Sequence, residues 1–165
     1  NPPNMVLVGM ALFLTLFTMS PVITEIQTTA YEPYVKEQIS QEEFVDRAEV
    51  PLKEFMLRNT EQSSLKLFCD LAGQDVPEDQ DGAVALPLRI VVPSFMTTEL
   101  KRAFEIGFYL YIPFLLIDVV VASALMSMGM IMLPPSMISM PFKLLLFISL
   151  DGWHLLFSTL VQGFH

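Results

Sequence analysis

The chain has 165 residues, of which 53% are hydrophobic and only 16% are charged, and its net charge at neutral pH is −9. Soluble domains are normally about 25% charged, so this composition indicates a membrane protein. The acidic balance argues against nucleic-acid binding, which needs a basic surface, and a single cysteine excludes an intrachain disulfide.

Charged residues are concentrated in the middle of the chain. The stretch from Glu25 to Glu105 holds 16 of the 18 acidic and 8 of the 9 basic residues, a local net charge of −8. Outside it the only charged residues are Asp118, Lys143 and Asp151. This distribution predicts an all-α membrane protein in which a water-exposed insert separates two apolar segments. The predicted segments are residues 1–24, 25–97 and 98–165.

The first segment is predicted to be an apolar membrane or assembly helix. Residues 5–24 form a run of 20 residues without a charge, which is long enough to cross about 30 Å of hydrocarbon as a helix. Pro21 is expected to kink or end this helix near Ser20. The run follows Asn-Pro-Pro-Asn, without an initiator methionine or a basic stretch, so we expect further residues to precede it in the complete protein.

The second segment is expected to be a mostly helical, water-exposed domain. Ser40 and Glu43 have the spacing of a capping box at a helix start, and Gly73 follows an apolar stripe, at the position of a helix end. The acidic run at 74–83 lacks the spacing of a calcium loop and is predicted to be solvated. Residues 86–95 have a β-like composition, but two prolines restrict them to an edge strand or an extended linker.

The third segment is expected to be a long, kinked helical hairpin. Thr97 or Thr98 is predicted to cap its first helix. Pro113 should kink that helix, as neighbouring helices permit in a membrane. The second helix is predicted to occupy most of residues 137–164.

The tip of this hairpin is rich in methionine. Pro134 and Pro135 each lack an N–H and clash with the preceding turn, so no helix can run unbroken through the segment. We predict a loop at 126–137, in which Gly129 and the two prolines act as a hinge. The wider stretch from Ala122 to Phe142 contains six of the eleven methionines, namely Met126, Met128, Met130, Met132, Met137 and Met140.

The methionines allow three interpretations. Their unbranched, polarizable side chains could mould to many shapes and form a deformable gate. Soft thioethers also bind Cu(I), but in a helix Met126 shares a face with Met130 rather than with Met128, and no Cys or His accompanies them. An ion or copper transporter that uses these methionines and Asp118 is therefore the alternative function. A scaffold in which the methionines only pack is the third, and no cofactor or metal site is predicted.

Three ionisable residues, Asp118, Lys143 and Asp151, lie in otherwise apolar helices. A charge at bilayer depth costs at least about 2.5–3.5 kcal/mol, so each is expected to face a partner or a watery cavity. They could form a proton or ion relay, but structural ion pairs between helices or subunits are the preferred interpretation. Lys143 and Asp151 are separated by about 12 Å of helical rise and cannot pair with each other.

Long strings of this sequence resemble the FliP family of flagellar type III secretion export-gate proteins. The strings are PLKEFMLRNTEQSSLKLF at residues 51–68, IPFLLIDVVVASALMSMGMIMLPP at 112–135 and PFKLLLFISLDGW at 141–153. The resemblance implies a protein that is not an enzyme. It also implies that about five copies assemble with FliQ and FliR, joined by FlhB, into a helical multi-subunit pore.

The resemblance further implies a cellular place and a substrate. The pore would lie in the bacterial inner membrane at the flagellar basal body, in contact with lipid, and the acidic segment would lie in the periplasm. Unfolded flagellar proteins would pass through its centre.

The resemblance also implies roles for individual residues. The family's pore-closing loop, usually three consecutive methionines after a glycine, maps onto Met130, Ile131 and Met132, and Met128 is expected to join them in the gate. Ile131 departs from that pattern; it is stiffer at χ1 than methionine but keeps the closure apolar. The lysine of the PFK string matches Lys143, so intersubunit charge pairs are expected at Lys143, Asp118 and Asp151.

Overall fold

The structure is a computed structural model that describes residues 2–164, the side chain of residue 80 excepted. Within these residues every regular element is helical and no strand is present, which confirms the predicted all-α class. Predictions for residues 1 and 165 lie outside this range. The elements are α1 (Asn4–Thr18), α2 (Ser20–Ile26), a π-helical turn (Gln27–Tyr31), α3 (Glu32–Val35), α4 (Gln41–Arg58), α5 (Gln62–Ala72), α6 (Gln80–Ala85), α7 (Leu88–Ser127), α8 (Pro135–Ser149) and α9 (Gly152–Gln162).

The described chain divides into two compact units. The first contains the residues up to Leu100 together with Phe164, and the second comprises Lys101–Gly163. The first unit therefore holds α1 to α6 and the start of α7, and the second holds the rest of α7 with α8 and α9. The three segments expected from the sequence stay a prediction.

In the first unit the apolar N-terminal run is broken close to the expected place. Helix α1 ends at Thr18 and α2 begins at Ser20, with Pro21 in its first turn. The helices before and after the break are bent by 58°. Pro21 accounts for this, because it has no N–H to bond to the carbonyl four residues earlier and its ring clashes with that carbonyl.

The predicted helix caps of the acidic stretch are observed in part. Ser40 Oγ accepts a hydrogen bond from the Glu43 backbone N–H at 3.2 Å, as a capping residue does. The Glu43 carboxylate does not complete the box; it forms an ion pair with Arg47 at 2.6 Å. Gly73 ends α5 in the left-handed conformation, with φ of +65°, which confirms the predicted helix end.

A small apolar core joins α5 to the start of α7. Its buried members are Cys69, Leu86, Ile90 and Val91, against which pack Met56, Leu57, Leu65, Phe68 and Val76. Burial, and secondarily the negative charge of Asp70, raises the pKa of the Cys69 thiol above its usual value. Cys69 is therefore a packing residue, in agreement with its apolar surroundings in the sequence.

The expected strand or linker at residues 86–95 is wrong. Helix α7 already begins at Leu88, and the Pro87 carbonyl accepts the first helical bonds, from the N–H groups of Ile90 and Val91. Both of those β-branched side chains are buried in the core. Tertiary burial thus outweighs their local β preference, since propensity is only a weak prior.

The expected helix cap at Thr97 or Thr98 is also wrong, because both residues lie inside α7. Thr98 is fully buried and connects two elements of the first unit. Its Oγ1 accepts a hydrogen bond from the Glu61 backbone N–H at 3.1 Å and donates one to the Ser94 carbonyl at 3.0 Å. Thr98 therefore supplies a hydrogen-bond acceptor at the start of α5, where backbone N–H groups have no partner within the helix.

Helix α7 is 40 residues long, and it alone among the helices of residues 2–164 is long and apolar enough by itself to cross a membrane. Two bent pairs pass the same test when each is taken as one span: α1 with Ser20–Val35, and α8 with α9. The described chain thus has between one and three candidate spans by length and composition.

Candidate functional site

The second unit contains a helical hairpin whose tip, residues 128–134, joins α7 to α8. Gly129 has a φ of +73°, a left-handed conformation that glycine adopts without steric cost. Its N–H bonds to the Met126 carbonyl, and the Met130 N–H bonds to the Leu125 carbonyl, both at 3.0 Å. These two bonds form a Schellman motif, which ends α7 before the methionine loop.

The prolines begin the returning helix. Pro134 is extended, with a φ of −62° and ψ of 120°, and Pro135 is the first residue of α8. Proline suits this position because the first helical N–H needs no intrahelical partner. The Pro134 carbonyl accepts from the Met137 N–H at 3.1 Å. The predicted break at this pair is confirmed, and its role as a hinge stays a prediction.

The structure brings the four predicted gate residues together on the tip. Their exposed fractions are 61% for Met128, 44% for Met130, 87% for Ile131 and 96% for Met132. Four apolar side chains in five consecutive positions are thus exposed at the end of a hairpin, two of them almost completely. A contiguous exposed apolar patch of this kind marks a contact with another molecule or with lipid.

A polar cluster fastens the two helices of the hairpin below the tip. Lys143 Nζ donates to Asp118 Oδ2, and Ser139 Oγ donates to Asp118 Oδ1, each at 2.5 Å. Both carboxylate oxygens therefore have a partner, and Ser139 is fully buried. The ion pair is largely shielded, with about seven-tenths of each side chain covered: 28% of Lys143 and 29% of Asp118 stay exposed.

The position of this cluster follows from the hairpin geometry. Asp118 precedes the end of α7 by about 13 Å of helical rise, and Lys143 follows the start of α8 by about 12 Å. In an antiparallel hairpin these positions lie side by side. Sequence analysis expected Lys143 and Asp118 to take part in intersubunit pairs; in this structure they pair with each other within one chain.

Asp151 is placed differently from the other two charges. It lies at the break between α8 and α9, which are bent by 59°, and it has a left-handed φ of +49°. Its side chain is exposed, makes no capping hydrogen bond to α9 and has no ion-pair partner within the described part of the chain. An intersubunit role for Asp151 stays a prediction.

Aromatic side chains pack against each other at the break between α8 and α9. Gly152 is buried against Phe147, and a Cβ atom at Gly152 would overlap the Phe147 ring. Trp153 packs edge-on against the same ring, with centroids 5.5 Å apart and planes at 89°, and contacts Phe157 at 5.7 Å. The bend therefore depends on a glycine at this position.

The sequence profile of the FliP family matches residues 1–160 of the chain. The chain belongs to the FliP family. It is 52% identical over 164 residues to the flagellar biosynthetic protein FliP of Pectobacterium carotovorum, 53% over 163 residues to that of Bacillus subtilis and 49% over 164 residues to that of Aquifex aeolicus. Each comparison covers 99% of this chain, which spans 62%, 72% and 68% of those relatives, respectively.

This FliP-family chain thus has at least one helix that is long and apolar enough to cross a membrane. Sequence reasoning from residue types missed Ser139 as a member of the polar cluster. It precedes Lys143 by four positions, so both share one face of α8, and that spacing could have indicated it. Among residues 2–164 no group of three or more His, Cys, Asp or Glu side chains is arranged to hold a metal ion.

Proposed function

We propose that this FliP-family chain is a core subunit of the flagellar export gate. In this proposal about five copies assemble with FliQ and FliR, joined by FlhB, in the bacterial inner membrane. The acidic first unit lies in the periplasm, and unfolded flagellar proteins cross through the centre of the assembly. The observation that carries the proposal is the exposed apolar tip at Met128, Met130, Ile131 and Met132.

The tip supplies a mechanism for closing such a pore. When several chains point these side chains at one axis, they form a narrow apolar constriction that water and ions enter at a cost. Methionine has three rotatable side-chain bonds, so the closed contacts can part around a passing chain and re-form behind it. Ile131 contributes apolar volume with less flexibility. The subunit is a passive conduit in this scheme and performs no covalent chemistry.

The polar cluster below the tip supports this mechanism mechanically. Asp118 accepts hydrogen bonds from α8 at both carboxylate oxygens. These bonds fix the register of α7 against α8, and the register in turn fixes the position of the tip. A gate residue displaced by one helical position would move its side chain by about 100° around the helix axis. A gate that opens and closes repeatedly needs helices in a fixed register and flexible side chains at the tip.

The assembly is tested by the mass of the complex. The complete protein is expressed alone and with its FliQ and FliR partners, purified in detergent and weighed by native mass spectrometry. A ring of about five copies that takes up both partners supports the proposal. A stable monomer or dimer that ignores them would leave no pore for the tip to close.

The same preparation distinguishes the alternative function. A copper transporter that uses the methionines and Asp118 should bind Cu(I) in a fixed ratio per chain, because thioethers are soft ligands. Absence of Cu(I) binding by the assembled complex would remove that alternative.

A further inference from the structure

Within a single chain the tip methionines are accessible without any unfolding. Met128, Met130 and Met132 are all exposed, whereas Met56 is partly buried against the core of the first unit. The sulfur of Cys69 is fully buried, and exposed methionines also lie outside the tip, at Met5, Met96, Met126, Met137 and Met140. Three thioether groups that a small oxidant can reach therefore lie on the tip, which closes the pore in the proposed function.

We propose that Met128, Met130 and Met132 form a site of reversible oxidation by peroxide, and that their oxidation loosens the closed gate. The inference rests on the proposed function, because only a closed apolar constriction can be loosened in this way. The reactant is hydrogen peroxide or an organic hydroperoxide, which meets the tip side chains when the gate parts around a passing chain.

The reaction balances with peroxide alone. A lone pair of the thioether sulfur attacks one peroxide oxygen, an S–O bond forms and the O–O bond breaks. The remaining oxygen takes up the proton released from the attacked one and leaves as water, or as an alcohol from a hydroperoxide. The sulfur loses two electrons and the peroxide gains them. The product is methionine sulfoxide, which the cellular sulfoxide reductases return to methionine at the expense of a thiol.

The change in side-chain chemistry opposes closure. The sulfoxide is polar and chiral, whereas the thioether is apolar and flexible. Packing several sulfoxide oxygens into a dry constriction leaves them without hydrogen-bond donors, so the closed state loses free energy relative to a hydrated one. Ile131 has no sulfur and stays apolar. Oxidation is therefore expected to raise leakage without destroying closure altogether.

The first test is independent of gating. The complete chain, in its complex with FliQ and FliR, is treated with limited hydrogen peroxide, and the mass gain of one oxygen is followed at each methionine by peptide mass spectrometry. Met130 and Met132 are expected to react at least about fivefold faster than Met56, because susceptibility follows exposure. Reaction at the tip no faster than at Met56 would overturn the proposal.

The second test measures the consequence in vesicles. Peroxide should raise ion leakage through the wild-type complex and through the M96L control, whose substituted methionine is exposed outside the tip. It should not raise leakage in the M128L/M130L/M132L variant, and methionine sulfoxide reductases should reverse the effect in the wild type. Equal leakage of oxidised and untreated wild-type complex would overturn the proposal.

Failure of the underlying gate gives a different result. If truncation of the tip to alanine leaves untreated complexes as tight as the wild type, then the tip is not a seal and the proposed function itself fails. If alanine variants leak while the oxidised wild type does not, the gate stands and only the oxidation proposal is lost.

Discussion

Asp118 accepts hydrogen bonds at both carboxylate oxygens, from Ser139 at one and from Lys143 at the other. Removing one member of such a shielded pair leaves the other charge without compensation among apolar side chains, which costs more than removing both. The arrangement is therefore a constraint on how α7 and α8 meet, and it needs neither a proton relay nor a bound ion.

Because removing one partner of the ion pair costs more than removing both, single and double substitutions should differ. K143M should sharply lower the amount of complex that accumulates in the membrane, because Asp118 is left unpaired. The D118L/K143M double variant should accumulate to a higher level than K143M. The measurement is quantitative immunoblotting of membrane fractions, with S149A as a control on the same helix. If the double variant accumulates less than K143M, the pair is not the constraint described.

Thr98 shows how a single hydroxyl can join two elements of the first unit. Substitution by valine keeps its volume but removes the hydroxyl that accepts from the partly buried Glu61 N–H, so T98V should destabilise the first unit by about 1–3 kcal/mol. Its exposed neighbour supplies the control, and T97V should change stability by less than about 0.5 kcal/mol. Denaturant unfolding of the complete protein in detergent measures both. Equal effects would contradict the assigned role of Thr98.

At the scale of elements, the sequence predicted where helices break better than where they begin. Pro21 and the Pro134-Pro135 pair favour a helix break for local steric reasons, and in the structure each lies at the start of a new helix just after a break. Gly73 ends α5 in the same predictable way. The start of α7 was not predictable locally, because the burial of Ile90 and Val91 overrides their β preference. The Ser139 contact depends on how α7 and α8 meet, and no single helix specifies it.

Two glycines of the hairpin predict substitutions of opposite sign. Gly129 has a φ of +73°, so G129A should strain the end of α7 and destabilise the protein by about 1–2 kcal/mol. Gly107 lies within α7, where a Cβ atom meets nothing within 4 Å, so G107A should stabilise the helix by about 0.5–1 kcal/mol. Thermal unfolding of both variants in the same detergent measures the two changes in stability. A stabilising effect of G129A would show that the left-handed turn is not needed.

At the scale of the whole molecule, the net negative charge lies in the first unit, which has fifteen acidic and six basic residues, whereas the second unit has three of each. The apolar surface is exposed on long helices. Helix α7 displays large apolar side chains along most of its length, and so does α1. A chain with this much uncovered apolar surface is completed by lipid, by other subunits or by both. The proposed export gate gives that surface, and the tip, a common purpose.

The most direct test of the proposed gate is the ion conductance of the resting complex reconstituted in vesicles. The variant M128A/M130A/I131A/M132A removes the apolar volume that the tip would bring to the pore axis. The control M126A/M137A/M140A truncates exposed methionines on the flanking helices. If the tip closes the pore, the tip variant leaks at rest and the control is as tight as the wild type. A tip variant as tight as the wild type, in a complex of unchanged mass, would contradict it.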